Sequence, residues 1–148
     1  MLMRSTHFAL AAALFTATTV ATAAPSFAQD FRSASPTGAK VYFIEPKNGA
    51  EITGPVSVKF GLVGMGVAPA GVEKKDTGHH HILVNQKVVD PMAPLPADDK
   101  HRHFGAGQTE TTLTLPAGTH TLQLVLGDHN HIPHNPLVAS DVITITVK

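Results

Sequence analysis

The sequence predicts an all-β domain that folds as a sandwich, and two observations support this prediction. From Lys40 onward, short apolar runs alternate with stretches rich in Pro, Gly and Asn, which is the spacing of β-sandwiches and barrels. No stretch keeps the 3.6-residue periodicity of an amphipathic helix, so almost no helix is expected. A length of 148 residues corresponds to a single domain. The alternative β architectures are a small barrel and a cupin-like jelly roll.

Residues 1–28 have the pattern of a secretory signal peptide. Arg4 precedes an uncharged run over 8–24, and the small residues Ser26 and Ala28 suit a signal peptidase site. The run is too short and too rich in Thr for a membrane span, which needs about 20 apolar residues; a retained N-terminal anchor is the alternative. We expect cleavage after Ala28, a periplasmic or secreted product without a transmembrane segment, a disordered lead-in over 29–39 and a His-rich domain over 40–148.

The composition of the mature chain excludes several functional classes. Removal of Arg4 leaves ten basic and eleven acidic residues, a net charge of −1, so no nucleic-acid partner is expected. The chain has no Cys, which excludes disulfides, thiolate nucleophiles and thiolate metal sites. No phosphate-binding or dinucleotide-binding motif is present, and we expect no nucleotide, flavin or haem.

The first two predicted strands flank a turn. A strand at about Lys40–Glu45 leads into PKNG at 46–49, where Pro fixes φ and Asn-Gly tolerates positive φ. In the second strand, at about 56–62, Val56, Val58 and Phe60 alternate with more polar residues or Gly. This period of two predicts a strand with one buried face.

The remaining strands follow between loops. GHHHILVN over 78–85 follows a Gly- and Pro-rich loop, a shorter strand is expected near 87–89, and 90–100 is too rich in Pro for a central strand. A strand over 108–115 ends at a Pro-Ala-Gly turn. The strand over 119–126 places His120 and three Leu residues on one face, and the last strand, 138–147, turns Ile143 and Ile145 inward.

The strand order also carries a resemblance. The opening strand, PxNG turn and second strand, together with the ending LPAGTHTLQLVL…ITITV, look like bacterial immunoglobulin-like modules. About seven short strands in some 110 residues fit an immunoglobulin-like sandwich.

Eight of the nine His residues of the mature chain lie in three short clusters, at 79–81, 101–103 and 129–134. In an extended chain His79 and His81 point the same way, about 6.6 Å apart, while His80 points to the opposite face. Neutral imidazole is a common metal ligand, and sites rich in nitrogen suit Cu and Zn. The sequence therefore favours a Cu(II) or Zn(II) site, with affinity falling as the pH drops through about 6.5. The candidate ligands are His79, His81, His103, His131, His134 and Asp128.

The other His residues have structural interpretations. His120 shares a face with three Leu residues and follows a turn, which is typical of a hydrogen-bonded His at a strand end. His80 shares the face of Ile82, and we interpret it as a core residue. His101 and His129 are interpreted as peripheral. Asp128, Glu110 and Asn130 are the candidate partners for the outer nitrogens of metal-bound rings.

Three segments resemble the bacterial domain-of-unknown-function family 4399: GMGVAPAGVEKKDTGHHHILV, HFGAGQTETTLTLPAGTHTLQLVLGD and HIPHNP, with the resemblance covering about residues 40–148. The family's signature positions correspond to Gly78, His79, His80, His81, His103, Phe104, Gly105, Gln108, Gly127, Asp128, His131, Pro133, His134 and Pro136. Asn85 stands where members often carry an acidic residue, and His129 is an addition. The resemblance implies the β fold and export, and it implies no established activity.

Three functions are consistent with these features. The first is an exported metal-binding module, for which a metal ion and another envelope protein are the expected partners. The second is a non-enzymatic module for interactions in the cell envelope, with structural His residues. The third is a small metalloenzyme, which would also need an open ligand position and a substrate pocket.

Overall fold

Two open sheets build the protein in the computed structural model, which describes residues 30–88 and 90–148. The predicted signal peptide lies outside these residues. The described strands are β1 (Lys40–Glu45), β2 (Glu51–Ile52), β3 (Val56–Val63), β4 (Gly66–Val67), β5 (Thr77–Val84), β6 (His101–Phe104), β7 (Glu110–Leu113), β8 (Gly118–Gly127) and β9 (Ile143–Val147). No helix occurs in the described part of the chain, and hence none that could cross a membrane. The predicted all-β sandwich is confirmed, and the small barrel is excluded because the sheets are open.

The two sheets differ in size. The smaller contains β1, β3 and β7 in that order, and the larger follows the order β2-β9-β8-β5-β4. Strand β6 also pairs with β5, on the same side of β5 as β4. Strand β4 pairs with the first residues of β5, and β6 pairs with residues further along it. Strand β5 therefore lies inside the larger sheet, with β8 on one side and the short strands β4 and β6 on the other.

The main core fills the space between the sheets. Its apolar side chains come from alternate positions along the strands. Val56, Val58 and Phe60 of β3 are buried there, as the sequence predicted. Leu122 and Leu124 of β8 face them from the larger sheet. Burial of such side chains contributes about 1.5–3 kcal/mol each to folding.

A second apolar cluster lies on the outer face of the larger sheet. Leu83 and Val125 point away from the main core and pack with Leu95 from the loop after β5. Seven of the eight β5 residues are consequently buried, on both faces of the strand. This covered outer face also contains His79 and His81.

Several element boundaries differ from the prediction. Residues 101–104 form β6, which the sequence did not indicate, and the last regular strand begins at Ile143 rather than near Val138. Instead of a strand, the segment from 138 contributes an isolated bridge between Ala139 and Val125. No strand forms at Lys87 or Val88, and residue 89 lies outside the described residues.

The segment before β1 was expected to be a disordered lead-in. Residues 33–35 form backbone hydrogen bonds with Asn135: Ser35 N–H donates to the Asn135 carbonyl, and Asn135 N–H donates to the Ser33 carbonyl, both at 3.0 Å. Ala34 and Asn135 form a parallel bridge. This segment therefore lies along the loop that follows β8.

Candidate metal centre

Strand β5 places two imidazoles on the outer face of the larger sheet. Because side chains alternate along a strand, His79 and His81 share that face and His80 points into the main core. His79 and His81 are almost fully buried, at 0% and 1% exposure. The structure thus has the alternation of His79, His80 and His81 between the two faces that the sequence predicts.

His103 joins them through the pairing of β5 with β6. His81 and His103 are directly opposite in the antiparallel register, so their side chains lie on the same face. His103 is exposed on this edge strand, whereas His81 is buried. The spacing within 101–103 alone could not show which partner strand His103 would face.

His131 comes from the loop after β8 and covers the same patch. Its φ is 66°, in the left-handed region, and its backbone N–H donates to the Asp128 carbonyl at 2.9 Å. The His131 carbonyl accepts from the Leu95 N–H at 2.9 Å, which ties it to the loop covering the sheet. The ring is thus fixed by the loop backbone.

These four residues form one group, which we call the imidazole cluster: His79, His81, His103 and His131. One nitrogen from each ring lies within 4.8 Å of the others. The centroids of all six ring pairs are 4.8 to 5.8 Å apart. The cluster could hold a metal ion, because bonds of about 2.0–2.1 Å to one ion bring tetrahedral nitrogens to about 3.3 Å from each other.

The nitrogens of the imidazole cluster face one another rather than other partners. Nε2 of His79 lies 3.0 Å from Nδ1 of His131 and 3.0 Å from Nε2 of His81. A neutral imidazole nitrogen carries either a hydrogen or a lone pair, so Nε2 of His79 is well matched to only one of these neighbours in each tautomer. Nδ1 of His79 and Nδ1 of His81 have no hydrogen-bond partner within the described residues. A cation at the centre would satisfy the converging lone pairs.

The surroundings of the cluster favour the neutral form of three of its rings, His79, His81 and His103. Burial, with the neighbouring His131 and His103, lowers the pKa of His79 to about 4 against the opposing charge of Asp128. Burial and the other rings lower the pKa of His81 to about 2, and burial and His131 also lower the pKa of His103. Neutral imidazole is the form that binds metal, so these shifts favour the metal-binding form of His79, His81 and His103.

Two Gly residues make room for these rings. A Cβ at Gly127 would lie 2.9 Å from Nε2 of His81, and a Cβ at Gly105 would overlap the ring of His103. Both positions belong to the family pattern noted in the sequence, although their connection to the rings could not be inferred there. The outer face of β8 is therefore open at Gly127 for the His81 ring.

Asp128 shapes the loop that carries His131. Its Oδ1 accepts from the backbone N–H groups of Asn130 and Ile132 at 2.9 and 3.0 Å, and its Oδ2 accepts from the Ser33 hydroxyl at 2.8 Å. Burial opposes ionisation, but these hydrogen bonds outweigh it and lower the pKa of Asp128. Asp128, a candidate ligand in the sequence, is thus occupied as the acceptor of this turn.

His134 also lies apart from the imidazole cluster. Its two ring nitrogens are each 3.2 Å from a backbone carbonyl, Nδ1 from Leu126 and Nε2 from Thr77. The ring therefore links the end of β8 to the start of β5. The structure brings together four of the six candidate ligands and gives His134 and Asp128 backbone-directed contacts.

The remaining His residues have the contacts expected of structural or peripheral groups. His120 Nε2 lies 2.8 Å from the Pro116 carbonyl, and its Nδ1 lies 3.0 Å from the Asn85 amide. His80 is buried against Phe60, with ring centroids 5.0 Å apart. The remaining two lie outside the cluster: His101 pairs with Asp98, and His129 contacts Asn130.

The partners expected for the outer ring nitrogens are elsewhere. Glu110 is exposed on β7, in the smaller sheet, and the Asn130 amide contacts His129. Asn85 holds His120 and accepts from the Thr121 N–H at 2.9 Å. The side chain at this departure from the family pattern thus supports the end of β5.

A family model described as a domain of unknown function (DUF4399) matches residues 58–148. The chain belongs to the DUF4399 family. No curated protein matches the sequence of this DUF4399 protein. An endo-β-1,4-mannanase from Thermotoga petrophila, of known structure, is similar at 21% identity and a TM-score of 0.43; the similarity covers 74% of this chain and 20% of the mannanase chain.

Proposed function

We propose that this DUF4399 protein is an exported metal-binding protein that holds one Cu(II) or Zn(II) ion on the imidazole cluster. The observation that supports this most strongly is the convergence of four imidazole nitrogens within 4.8 Å, contributed by two strands and a loop. Neutral nitrogen donors without thiolates suit Zn(II) and Cu(II). The predicted signal peptide supports a periplasmic or secreted location.

The contacts of the rings favour this function over an interaction module with structural His residues. A structural His is expected to bond backbone or side-chain partners, as His120 does with Pro116 and Asn85. His79 and His81 instead face other rings, and their second nitrogens are buried without partners in the described part of the chain. An ion among the rings would be bound by the converging nitrogens, Nε2 of His79, Nε2 of His81 and Nδ1 of His131, which cannot all satisfy one another as neutral imidazoles.

The exposure of the rings supports a role in sequestration or delivery. His79 and His81 are buried, whereas His103 is exposed and borders a groove of about 490 Å³ between β6 and β7. An ion could therefore enter or leave on the His103 side while the β5 rings stay in place. A second envelope protein would be the donor or recipient.

Calorimetric titration of the metal-free chain with Zn(II) and with Cu(II) tests this function. The test variants are His103→Ala and His131→Gly, the latter because Gly accepts the left-handed backbone of this position without strain. The matched controls are His101→Ala and His129→Ala, which remove imidazoles outside the cluster.

We expect one ion per chain at sub-micromolar affinity, a loss of about tenfold or more in each test variant, and wild-type affinity in both controls. Absence of binding in the wild-type chain, or equal affinity in test and control variants, would rule out the imidazole cluster as the site.

A further inference from the structure

We infer that residues 33–35, which we call the N-terminal strap, set the metal affinity of the imidazole cluster by positioning His131. This inference rests on the proposed metal-binding function and adds a control element to it. The strap is distant in sequence from all four rings, and it reaches the cluster through a single side chain, Asp128.

The first step of the argument is how the strap is held. Two backbone hydrogen bonds of 3.0 Å and a parallel bridge join it to Asn135, and the Ser35 hydroxyl donates to the Pro136 carbonyl at 2.7 Å. The side chain of Asn135 also donates to the Asp30 carboxylate at 2.6 Å. The strap thus docks on the same loop that carries His131, at its far end.

The second step is the contact between the strap and Asp128. The Ser33 hydroxyl donates to Oδ2 of Asp128 at 2.8 Å across 95 residues of sequence. The other oxygen of the same carboxylate accepts two backbone N–H groups, from the residues on either side of His131. Because one rigid carboxylate makes all three bonds, fixing Oδ2 also fixes the turn.

The third step is the dependence of His131 on that turn. His131 adopts a left-handed backbone that residues other than Gly rarely adopt, and its N–H donates to the Asp128 carbonyl. The surrounding bonds compensate for this strain. Loss of the Ser33 contact would allow the turn to relax and move Nδ1 of His131 from its position 3.0 Å from His79.

The same coupling must act in the reverse direction. If the docked strap favours the binding-competent position of His131, a metal ion on the cluster must favour the docked strap by the same factor. Metal binding should therefore slow hydrogen exchange of the Ser35 and Asn135 amides, which form the two backbone hydrogen bonds between the strap and the loop.

The experiment uses the full chain expressed with its own N-terminal segment and purified metal-free, with Zn(II) as the probe. Ser33→Ala removes the bond to Asp128, and Ser33→Thr keeps the hydroxyl. Ser35→Ala is the matched control, because it removes a hydroxyl of the same strap that bonds Pro136 instead of Asp128 and leaves the two backbone bonds between the strap and Asn135 in place. Affinity is measured by calorimetry, and exchange of the strap amides is measured with and without Zn(II).

We expect Ser33→Ala to weaken Zn(II) binding about fivefold, and Ser33→Thr and Ser35→Ala to stay close to the wild type. We also expect Zn(II) to slow strap exchange in the wild type but much less in Ser33→Ala. Equal Zn(II) affinity in wild type and Ser33→Ala, equal losses in Ser33→Ala and Ser35→Ala, or strap exchange unaffected by Zn(II) would overturn the inference and leave the proposed function standing. A wild-type chain that does not bind Zn(II) or Cu(II) would overturn both.

Discussion

At the scale of single residues, the imidazole cluster depends on its rings and on a Gly, at position 127, that has no side chain to occupy their space. Gly127 pairs with His79 across the β5–β8 ladder, and the His81 ring occupies the space above it. The ring is 1% exposed and packed among the other imidazoles, so it has little freedom to move away. Steric room at Gly127 is therefore part of the candidate site.

We predict that Gly127→Ala weakens metal binding about tenfold or more and destabilises the metal-free fold by about 1–3 kcal/mol, the typical cost of overpacking. The physical reason is the 2.9 Å approach of the added Cβ to Nε2 of His81. Calorimetry and urea unfolding measure the two effects.

Gly66→Ala is the matched control for this substitution. Its added Cβ would be 3.4 Å from Cγ2 of Thr77, close to ordinary contact, on the short strand β4 that also borders β5. Equal metal affinity in Gly127→Ala and Gly66→Ala would contradict the steric account of the His81 position.

Part of the site could be predicted at this scale because the relevant rule is local. Alternation along a strand places His79 and His81 on one face and His80 on the other. The loop over 128–134 follows no such rule, so sequence could not separate His131, which joins the cluster, from His134, which contacts two carbonyls. The Asp128 turn decides between them, and its contact with Ser33 spans 95 residues.

At the scale of elements, β5 is a strand buried on both faces that carries a His triplet. His80 is fully buried between the sheets, and neither of its ring nitrogens has a hydrogen-bond partner among the described side chains and backbone. Burial lowers the pKa of His80 to about 4. The apolar surroundings therefore require a neutral ring.

We predict that the metal-free fold loses stability as the pH falls from about 6.5 to about 4. In this interval an unfolded His80 takes up a proton and the folded one does not, so the unfolded state binds more protons and the free energy of unfolding decreases. Above pH 6.5 this contribution is fully retained. The lowered pKa of His80 corresponds to about 3 kcal/mol, and His79 and His81 act in the same direction.

Urea unfolding in the presence of a chelator, at several pH values across this interval, measures the effect. His80→Leu removes one of the titrating groups while keeping the core apolar, so its loss of stability on acidification should be smaller than that of the wild type. The same decrease in both proteins would show that His80 titrates alike in the folded and unfolded chains.

Strands could be predicted where apolar residues alternate along the sequence. They were harder to predict where a segment is a strand only because it pairs with another strand. The alternation in β3 and β8 identified their buried faces, because one face of each strand packs between the sheets. Strand β6, with the sequence HRHF, has no apolar alternation of its own and is a strand because it pairs with β5. The strap before β1 is positioned in the same way, by a partner that follows it by about 100 residues.

At the scale of the whole molecule, the candidate metal centre lies outside the main core. The predicted sandwich encloses its apolar residues between the sheets, and the imidazole cluster lies on the outer face of the larger one, beneath loops that also cover Leu83 and Val125. A bound ion would connect β5, the edge strand β6 and the loop after β8. The fold can therefore form around its main core, while the site depends on the covering loops and the strap.

The central claim is that one metal ion is bound by four imidazoles, and X-ray absorption spectroscopy of the protein loaded with one equivalent of Zn(II) tests it most directly. The account predicts a shell of about four nitrogens at about 2.0 Å, with the outer scattering of imidazole rings, reduced by one ring in His103→Ala and in His131→Gly. A shell dominated by oxygen, or one unchanged in both variants, would contradict it.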